Sequence, residues 1–277
     1  MTGSTAGRST PRAWLAGLVS VAVLAFGACG TKPAVQTPTG PQHSTSVPVS
    51  YARQCAATGK EARALNRAPN QTWSVSDGHG STMPVAVVGS GGTMVVLLHQ
   101  ISGGACGWAS FVAGGSASAR YRFVVPDLCG SGESRCKDAF DLDQVAQARL
   151  IVQRARARFH PRRLTLVGAS MGGAIALHAV ATGLRVDGVA DLSGPDGFLN
   201  GARIATDVRR LHVPALLMFD HADDQFSFDA ARAAARAGGR TMFVASHGGH
   251  GWEMVSDGTT TLRPEGHRLL GFAATGR

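Results

Sequence analysis

The sequence predicts an α/β protein whose central sheet is mostly parallel and is covered by helices on both faces. From residue 71 onward, strand patterns and helix patterns alternate along the chain, an order that places successive strands in parallel. Several strand candidates, among them Thr93–Leu98, are continuous apolar runs, as expected of strands buried on both faces. With 277 residues, of which 44% are hydrophobic and 16% charged, the chain can bury a full core in one domain.

The individual elements follow from local patterns. Two short strands, 72–76 and 83–88, flank a turn at 77–80 that reads Asp-Gly-His-Gly. Further strands are predicted over 93–98, 121–125, 164–167, 186–192, 214–219 and 241–245. Helices are predicted over 142–159, 172–181, 228–237 and 261–273.

The first 28 residues are predicted to be a secretory signal peptide. A polar segment with two arginines, 1–12, precedes an apolar run, 13–26, that is too short to span a bilayer. Cys29 follows two small residues and resembles the lipidated cysteine of a bacterial lipobox. Residues 29–50, rich in Thr, Pro and Ser, would then be a flexible tether between a membrane lipid anchor and a domain over 51–277. Ordinary secretion to the outside of the cell, with Cys29 unmodified, is the alternative.

The four other cysteines are predicted to form two disulfides, because an exported protein can keep such bonds. Three connectivities are open. Cys129 and Cys136 lie close together on one loop, which favours the pairs Cys129–Cys136 and Cys55–Cys106. No metal site is predicted, since neither a CxxC motif nor zinc-ligand spacing occurs.

The net charge of +9 raises the question of nucleic-acid binding. No basic block is longer than two residues, as at Arg162-Arg163, and aromatic residues make up only 6% of the chain. Nucleic acid is therefore not an expected partner. A cationic surface suits a protein exposed to an anionic cell envelope instead.

The segment from Gly168 to Gly173, Gly-Ala-Ser-Met-Gly-Gly, follows a predicted strand and opens a predicted helix. This is the context of a G-x-S-x-G nucleophile elbow, in which the serine occupies a strained turn that only small neighbours permit. Ser170 is therefore the candidate nucleophile. The helix N-terminus behind it offers free N–H groups to a developing anion.

A serine nucleophile needs a base and a third group that orients the base. Asp223 follows the strand 214–219, and His250 follows the strand 241–245. The carboxyl ends of parallel strands lie at one edge of a sheet, so we expect these residues near Ser170. Asp224 is an alternative to Asp223.

About residues 72–275 resemble the α/β-hydrolase superfamily. Besides the elbow, the string from Tyr121 to Ser134 is similar to the family's strand and P-D-x-x-G-x-G-x-S loop. The resemblance implies a single α/β-hydrolase domain and a Ser-His-Asp triad of Ser170, His250 and Asp223. It also implies an oxyanion hole formed by the N–H groups of Met171 and Ile101, with Gln100 as the alternative to Ile101. Gln100 stands where many relatives have glycine.

The expected activity is hydrolysis of carboxylic esters, small-molecule or lipid, through an acyl-enzyme, with no cofactor and no obligate protein partner. Only residues 193–213 separate two successive strands, so no large cap domain is expected and the site should be open. Four aromatic residues are candidate walls: Trp108, Phe198, Phe226 and Trp252.

Two kinds of alternative stay open. The same fold and serine serve acyltransferases, thioesterases and peptidases, because fold does not fix function. A non-catalytic envelope lipoprotein could also use the fold as a binding module. Labelling by a fluorophosphonate probe separates the enzyme from the binding module.

Overall fold

Eight strands form one sheet in the computed structural model, which describes residues 50–277. Their order is β1-β2-β4-β3-β5-β6-β7-β8. The pairs β1–β2 and β2–β4 are antiparallel and all other neighbours are parallel, so the predicted mostly parallel sheet is confirmed. The strands are β1 (Asn70–Ser76), β2 (Thr82–Val88), β3 (Thr93–Leu98), β4 (Tyr121–Pro126), β5 (Arg163–Ala169), β6 (Gly188–Leu192), β7 (Ala215–Asp220) and β8 (Thr241–Ser246).

Helices cover both faces of this sheet. Those before β3, the one that follows it and the last one pack on one face, and the helices between β4 and β8 pack on the other. They are α1 (Tyr51–Gln54), α2 (Gly59–Arg67), α3 (Ala109–Gly115), α4 (Asp138–Leu142), α5 (Gln144–Phe159), α6 (Met171–Ala181), α7 (Ile204–Arg210), α8 (Gln225–Ala237) and α9 (Pro264–Thr275). Short 3₁₀ turns lie at Ala105–Trp108 and Gly251–Met254.

The core consists of two layers, one on each side of the sheet. Along β3, Val96 and Leu98 contribute to the layer under α5 and α6, whereas Val95 and Leu97 contribute to the layer under α3 and α9. All four side chains are fully buried. Each such burial contributes about 1.5–3 kcal/mol, which explains why the central strands are continuous apolar runs.

The predicted helix over 142–159 corresponds to α5, which begins two residues later, at Gln144, while Leu142 is the last residue of α4. Asp143 separates them, with φ −96° and ψ 76°, and its side chain accepts a hydrogen bond from the N–H of Ala146 at 2.9 Å. An aspartate that caps a helix start in this way competes with continuous helix. The apolar periodicity runs through Leu142 and therefore does not reveal the break.

The segment from Tyr51 to Arg67, for which no element was predicted, forms α1 and α2. Only Leu65 of α2 is buried, so its sequence carries little apolar pattern. The segment is fastened to the loop after β3 by a disulfide between Cys55 and Cys106 and by a hydrogen bond from Tyr51 to the carbonyl of Ala105. The disulfide is one of the pairs that the sequence favours, whereas the hydrogen bond from Tyr51 leaves no local sequence signal.

The predicted signal peptide, Cys29 and the tether up to residue 49 lie outside the described residues. Within residues 50–277, no helix combines the length and the apolar character needed to cross a bilayer.

The structure also joins Cys129 to Cys136, so its two disulfides match the pairs that the sequence favours. The Cys55–Cys106 bond closes a separation of 51 residues and the Cys129–Cys136 bond one of 7. A longer closed loop constrains the unfolded chain more.

Replacing both Cys55 and Cys106 by alanine should therefore lower the free energy of unfolding by about 4 kcal/mol, against about 2 kcal/mol for the Cys129 and Cys136 pair. Urea denaturation of the two double variants measures this difference. Peptide mapping without reductant checks the pairing itself. A free thiol at Cys129 or Cys136, or a crossed pair, would contradict it.

Candidate active site

Ser170 lies at the junction of β5 and α6, where its backbone has φ 49° and ψ −118°. A positive φ is unfavourable for a residue with a side chain and marks a strained turn. A Cβ on Gly168 would overlap the carbonyl oxygen of Gly172, and one on Gly172 would come 2.5 Å from the carbonyl oxygen of Leu98. The G-x-S-x-G spacing thus has a steric cause: a side chain at Gly168 would prevent α6 from approaching β5, and one at Gly172 would prevent α6 from packing on the end of β3.

Two backbone N–H groups near Ser170 are free to bind an anion. Neither the N–H of Met171 nor that of Ile101 donates a hydrogen bond to any group within residues 50–277. Met171 begins α6, where the helix dipole favours negative charge. Free donors at such a place are what an oxyanion hole requires.

His250 and Asp223 meet at the same edge of the sheet. The Nδ1 atom of His250 lies 2.5 Å from Oδ2 of Asp223. The imidazole is 37% exposed and the carboxylate 26%, so both are open to solvent. With Nδ1 held by the carboxylate, Nε2 is the nitrogen left for proton exchange.

The His250 loop packs against the elbow. Gly251 has a φ of 57°, and a Cβ there would come 2.9 Å from the Cβ of Ala169, the residue before Ser170. Only glycine allows this approach. The side chains of Ser170 and His250 are not joined by a hydrogen bond in this structure, and such bonds often tighten only when substrate binds.

The two neighbouring aspartates have other partners. Asp220 accepts a hydrogen bond from the N–H of Ala222 at 2.9 Å and shapes the turn after β7. Asp224 is the N-cap of α8 and accepts hydrogen bonds from the N–H groups of Phe226 and Ser227. Of the three carboxylates, only that of Asp223 contacts His250.

Gln100 fixes the shape of the loop after β3. Its carbonyl oxygen accepts hydrogen bonds from the ring of His99 at 2.9 Å and from the N–H of Gly103 at 3.1 Å. Its side-chain Oε1 is buried without a partner among residues 50–277, at 2.5 Å from where a Cβ on Gly251 would lie. The side chain that replaces the family's usual glycine therefore fills the space between this loop and the His250 loop.

His99 is a structural residue. It is fully buried, and its Nε2 accepts a hydrogen bond from the N–H of Leu128 at 3.0 Å. Burial lowers the pKa of His99, so the ring is neutral and links the loops after β3 and β4. His247, in contrast, is exposed and stands apart from Asp223.

A buried carboxyl behind the elbow was not predicted from the sequence. Asp191 of β6 is fully buried, and burial raises its pKa to about 7. Its Oδ1 accepts a hydrogen bond from the N–H of Gly194 at 2.7 Å and packs on the Cα of Gly173 in α6. Its Oδ2 has no partner among the described residues. An aspartate inside an apolar strand is the only sequence signal that marks it.

Among the four aromatic candidates for pocket walls, Trp108 is fully buried and Phe198 and Phe226 are exposed. Trp252 is half-buried and lines a groove beside the His250 loop. The connection between β6 and β7 contains only the short helix α7, and no cap domain stands over this edge of the described sheet.

Among residues 50–277, one cluster brings together atoms of the metal-ligating type: Cys129, Cys136 and Asp141. The two cysteines are bonded to each other, so their sulfurs are not available as thiolate ligands. The cluster therefore does not describe a metal site.

Comparison with known proteins concerns the fold of the chain. A family model described as the alpha/beta hydrolase fold matches residues 93–207. Protein phosphatase methylesterase 1 of Mus musculus is 36% identical over 105 residues, and that of Caenorhabditis elegans is 34% identical over 105. The matched segment covers 37% and 36% of this chain, respectively, but only 27% and 28% of those proteins.

Solved structures are similar over more of the chain. An esterase of Pyrococcus furiosus superposes with a TM-score of 0.57 at 10% identity, covering 66% of this chain and 84% of its own. A carboxylesterase of Bacillus subtilis gives 0.57 at 15% identity, covering 77% and 95%. A thioesterase domain from the curacin biosynthetic pathway gives 0.57 at 14% identity, covering 75% and 99%. Residues 50–277 therefore have the alpha/beta hydrolase fold, which these esterases share.

Proposed function

We propose that the protein is a serine hydrolase that cleaves carboxylic esters. The observation that carries the proposal is the contact of 2.5 Å between His250 and Asp223, formed by two separate loops at the edge of the sheet where Ser170 occupies its strained turn. A histidine oriented by a carboxylate beside a strained serine is the arrangement that activates a hydroxyl nucleophile.

In the proposed mechanism, Oγ of Ser170 attacks the ester carbonyl and its proton passes to Nε2 of His250. The N–H groups of Met171 and Ile101 hold the negative charge on the carbonyl oxygen. Asp223 stabilises the imidazolium through Nδ1. The imidazolium then gives its proton to the leaving alcohol, and an acyl-enzyme forms. Water, deprotonated by His250, attacks the acyl-enzyme and releases the acid and Ser170.

The similar proteins support ester cleavage as the reaction class. Their names include an esterase, a carboxylesterase, a protein methylesterase and a thioesterase domain. All four reactions transfer an acyl group from an oxygen or sulfur leaving group to a nucleophile. The open edge of the described domain sets no narrow limit on acyl length.

We also propose that the protein is exported and held at the cell membrane by a lipid on Cys29. The support is the sequence alone: a short apolar run, two small residues and then Cys29, followed by a Thr/Pro/Ser-rich segment. The hydrolase domain would then act at the outer surface of the membrane.

Replacing Ser170 by alanine should lower kcat for p-nitrophenyl esters by roughly 10⁴-fold or more, because no other hydroxyl occupies the elbow. Hydrolysis of a series from acetate to palmitate measures this loss and gives the preferred acyl length. Ser116→Ala is a matched control, since that hydroxyl bonds only to the carbonyl of Ala113 at the end of α3. Equal rates for Ser170→Ala and wild type, or wild type without turnover and without fluorophosphonate labelling, would overturn the proposal.

The adjacent aspartates give an internal comparison. Asp223→Ala should lower kcat by roughly 10⁴-fold, because His250 loses the group that orients it. Asp224→Ala should keep most of the activity and instead lose about 1 kcal/mol of stability, because α8 loses its N-cap. Ester hydrolysis and urea denaturation of both variants check these outcomes. The reverse pattern would assign the catalytic acid to Asp224.

Membrane attachment is tested by replacing Cys29 with alanine. Wild type should partition into the detergent phase of a cell extract, and Cys29→Ala should move to the aqueous phase, because one acyl group adds about 0.8 kcal/mol of membrane affinity per buried methylene. The mass of the mature N-terminal peptide gives a second readout. Identical partitioning of both proteins in the aqueous phase would show that Cys29 carries no anchor.

A further inference from the structure

A groove of about 390 Å³ lies beside the candidate catalytic loops, and the proposed chemical steps leave it unused. Its lining includes Gln54 of α1 and the glycine-rich loop 103–107. Asp127 and residues 132–133, which follow β4, also line it. Trp252 completes the lining.

The groove adjoins the candidate active site along the chain and in space. Trp252 stands two residues after His250, and Gly103 stands two residues after Ile101. The loops that carry these pairs are in contact, because Gly103 packs on the ring of Trp252. The loops that carry Ile101 and His250 therefore also contribute residues to the groove, which places it next to the candidate active site.

The aromatic wall is held rigidly. A Cβ on Gly103 would come 2.6 Å from the Trp252 ring, and one on Gly107 would overlap it. The indole also packs edge-on against buried Trp108, with ring centroids 6.0 Å apart. A fixed aromatic surface binds a ligand with little loss of conformational entropy.

The charge of the groove is opposite to that of the whole protein. The chain has a net charge of +9, yet the charged residues that line the groove are Asp127 and Glu133, and no lysine, arginine or histidine lines it.

Asp127 is held in a fixed position in the lining of the groove. The residue is 3% exposed, and its Oδ1 accepts a hydrogen bond from the N–H of Ala105 at 2.7 Å. Its Oδ2 accepts no hydrogen bond within residues 50–277 and is not fully shielded from solvent. This oxygen therefore remains accessible from the groove. Burying a carboxylate is unfavourable unless the charge is paired, so an Asp127 oxygen without a hydrogen bond favours a cationic partner.

We propose that this groove binds a cationic group of the ester substrate, an ammonium carried by its alcohol or acyl part. The inference rests on the proposed ester hydrolysis and names its substrate class. Trp252 supplies an aromatic ring to which a cation is attracted. Asp127 and Glu133 supply the opposite charge, and the volume of about 390 Å³ accommodates a trimethylammonium group.

The test compares esters that differ only in charge. Acetylcholine is paired with its neutral isostere, in which carbon replaces the quaternary nitrogen. A second pair places the trimethylammonium group, or its carbon isostere, at the end of the acyl chain of a methyl ester. One charged ester should exceed its isostere in kcat/KM by about 10-fold, and the pair that shows the preference identifies the part of the substrate that enters the groove.

Variants link the preference to the groove. In Glu133→Gln and Asp127→Asn, the ratio of kcat/KM for the charged ester to that for its isostere should fall toward one. Asp229→Asn is the matched control, because Asp229 is an exposed acid on α8, which contributes no residue to the groove. Its ratio should stay at the wild-type value. Added salt should also lower the wild-type ratio, since exposed charges are screened.

The outcomes separate this inference from the proposed function. Equal rates for both members of each pair, with turnover that depends on Ser170, would overturn the cationic site and leave the ester hydrolase standing. A preference that Asp229→Asn removes as strongly as Glu133→Gln would also overturn it, because overall charge would then be the cause. Absence of turnover on every ester, together with absence of fluorophosphonate labelling, would overturn both.

Discussion

The close approach of α6 to β5 at Ser170 is the constraint on which the rest of the candidate site depends. Gly168 and Gly172 leave no room for a Cβ, so the helix starts directly at the end of the strand and Ser170 takes a positive φ. This geometry places the serine at the N-terminus of α6, with the free N–H of Met171 beside it. The packing of α6 on β5 thereby compensates the backbone strain at Ser170. The loops after β3 and β8 are arranged around this serine.

The loop after β3 is held from two sides. Inside the domain, neutral His99 ties it to Leu128. Outside, the segment that begins at Tyr51 ties it down through the Cys55–Cys106 bond. The predicted tether ends at residue 50, and α1 begins at Tyr51. Gln54, the last residue of α1, already lines the groove.

Much of the sheet could be predicted because strands that are buried on both faces consist of continuous apolar runs. Thr93–Leu98 is the clearest of these runs. The meeting of Asp223 and His250 could be expected because the carboxyl ends of parallel strands lie at one edge of the sheet. What could not be predicted depends on contacts between distant segments. The hydrogen bond from Tyr51 of α1 to Ala105 and the packing of Trp252 on the glycine-rich loop each need a partner far away in sequence.

The aspartates after β7 show where sequence spacing reaches its limit. Asp220, Asp223 and Asp224 lie within five residues, and a pattern match cannot separate them. The hydrogen-bond partners of the three aspartates do separate them. Asp220 closes the turn and Asp224 caps α8, so both carboxylates already serve local backbone groups, and only Asp223 extends across to a residue on another strand's loop. The acid of a triad orients the histidine that accepts the proton. All three aspartates are similarly far from His250 in sequence, so the contact that the fold makes between Asp223 and His250 is what distinguishes the candidate acid from its neighbours.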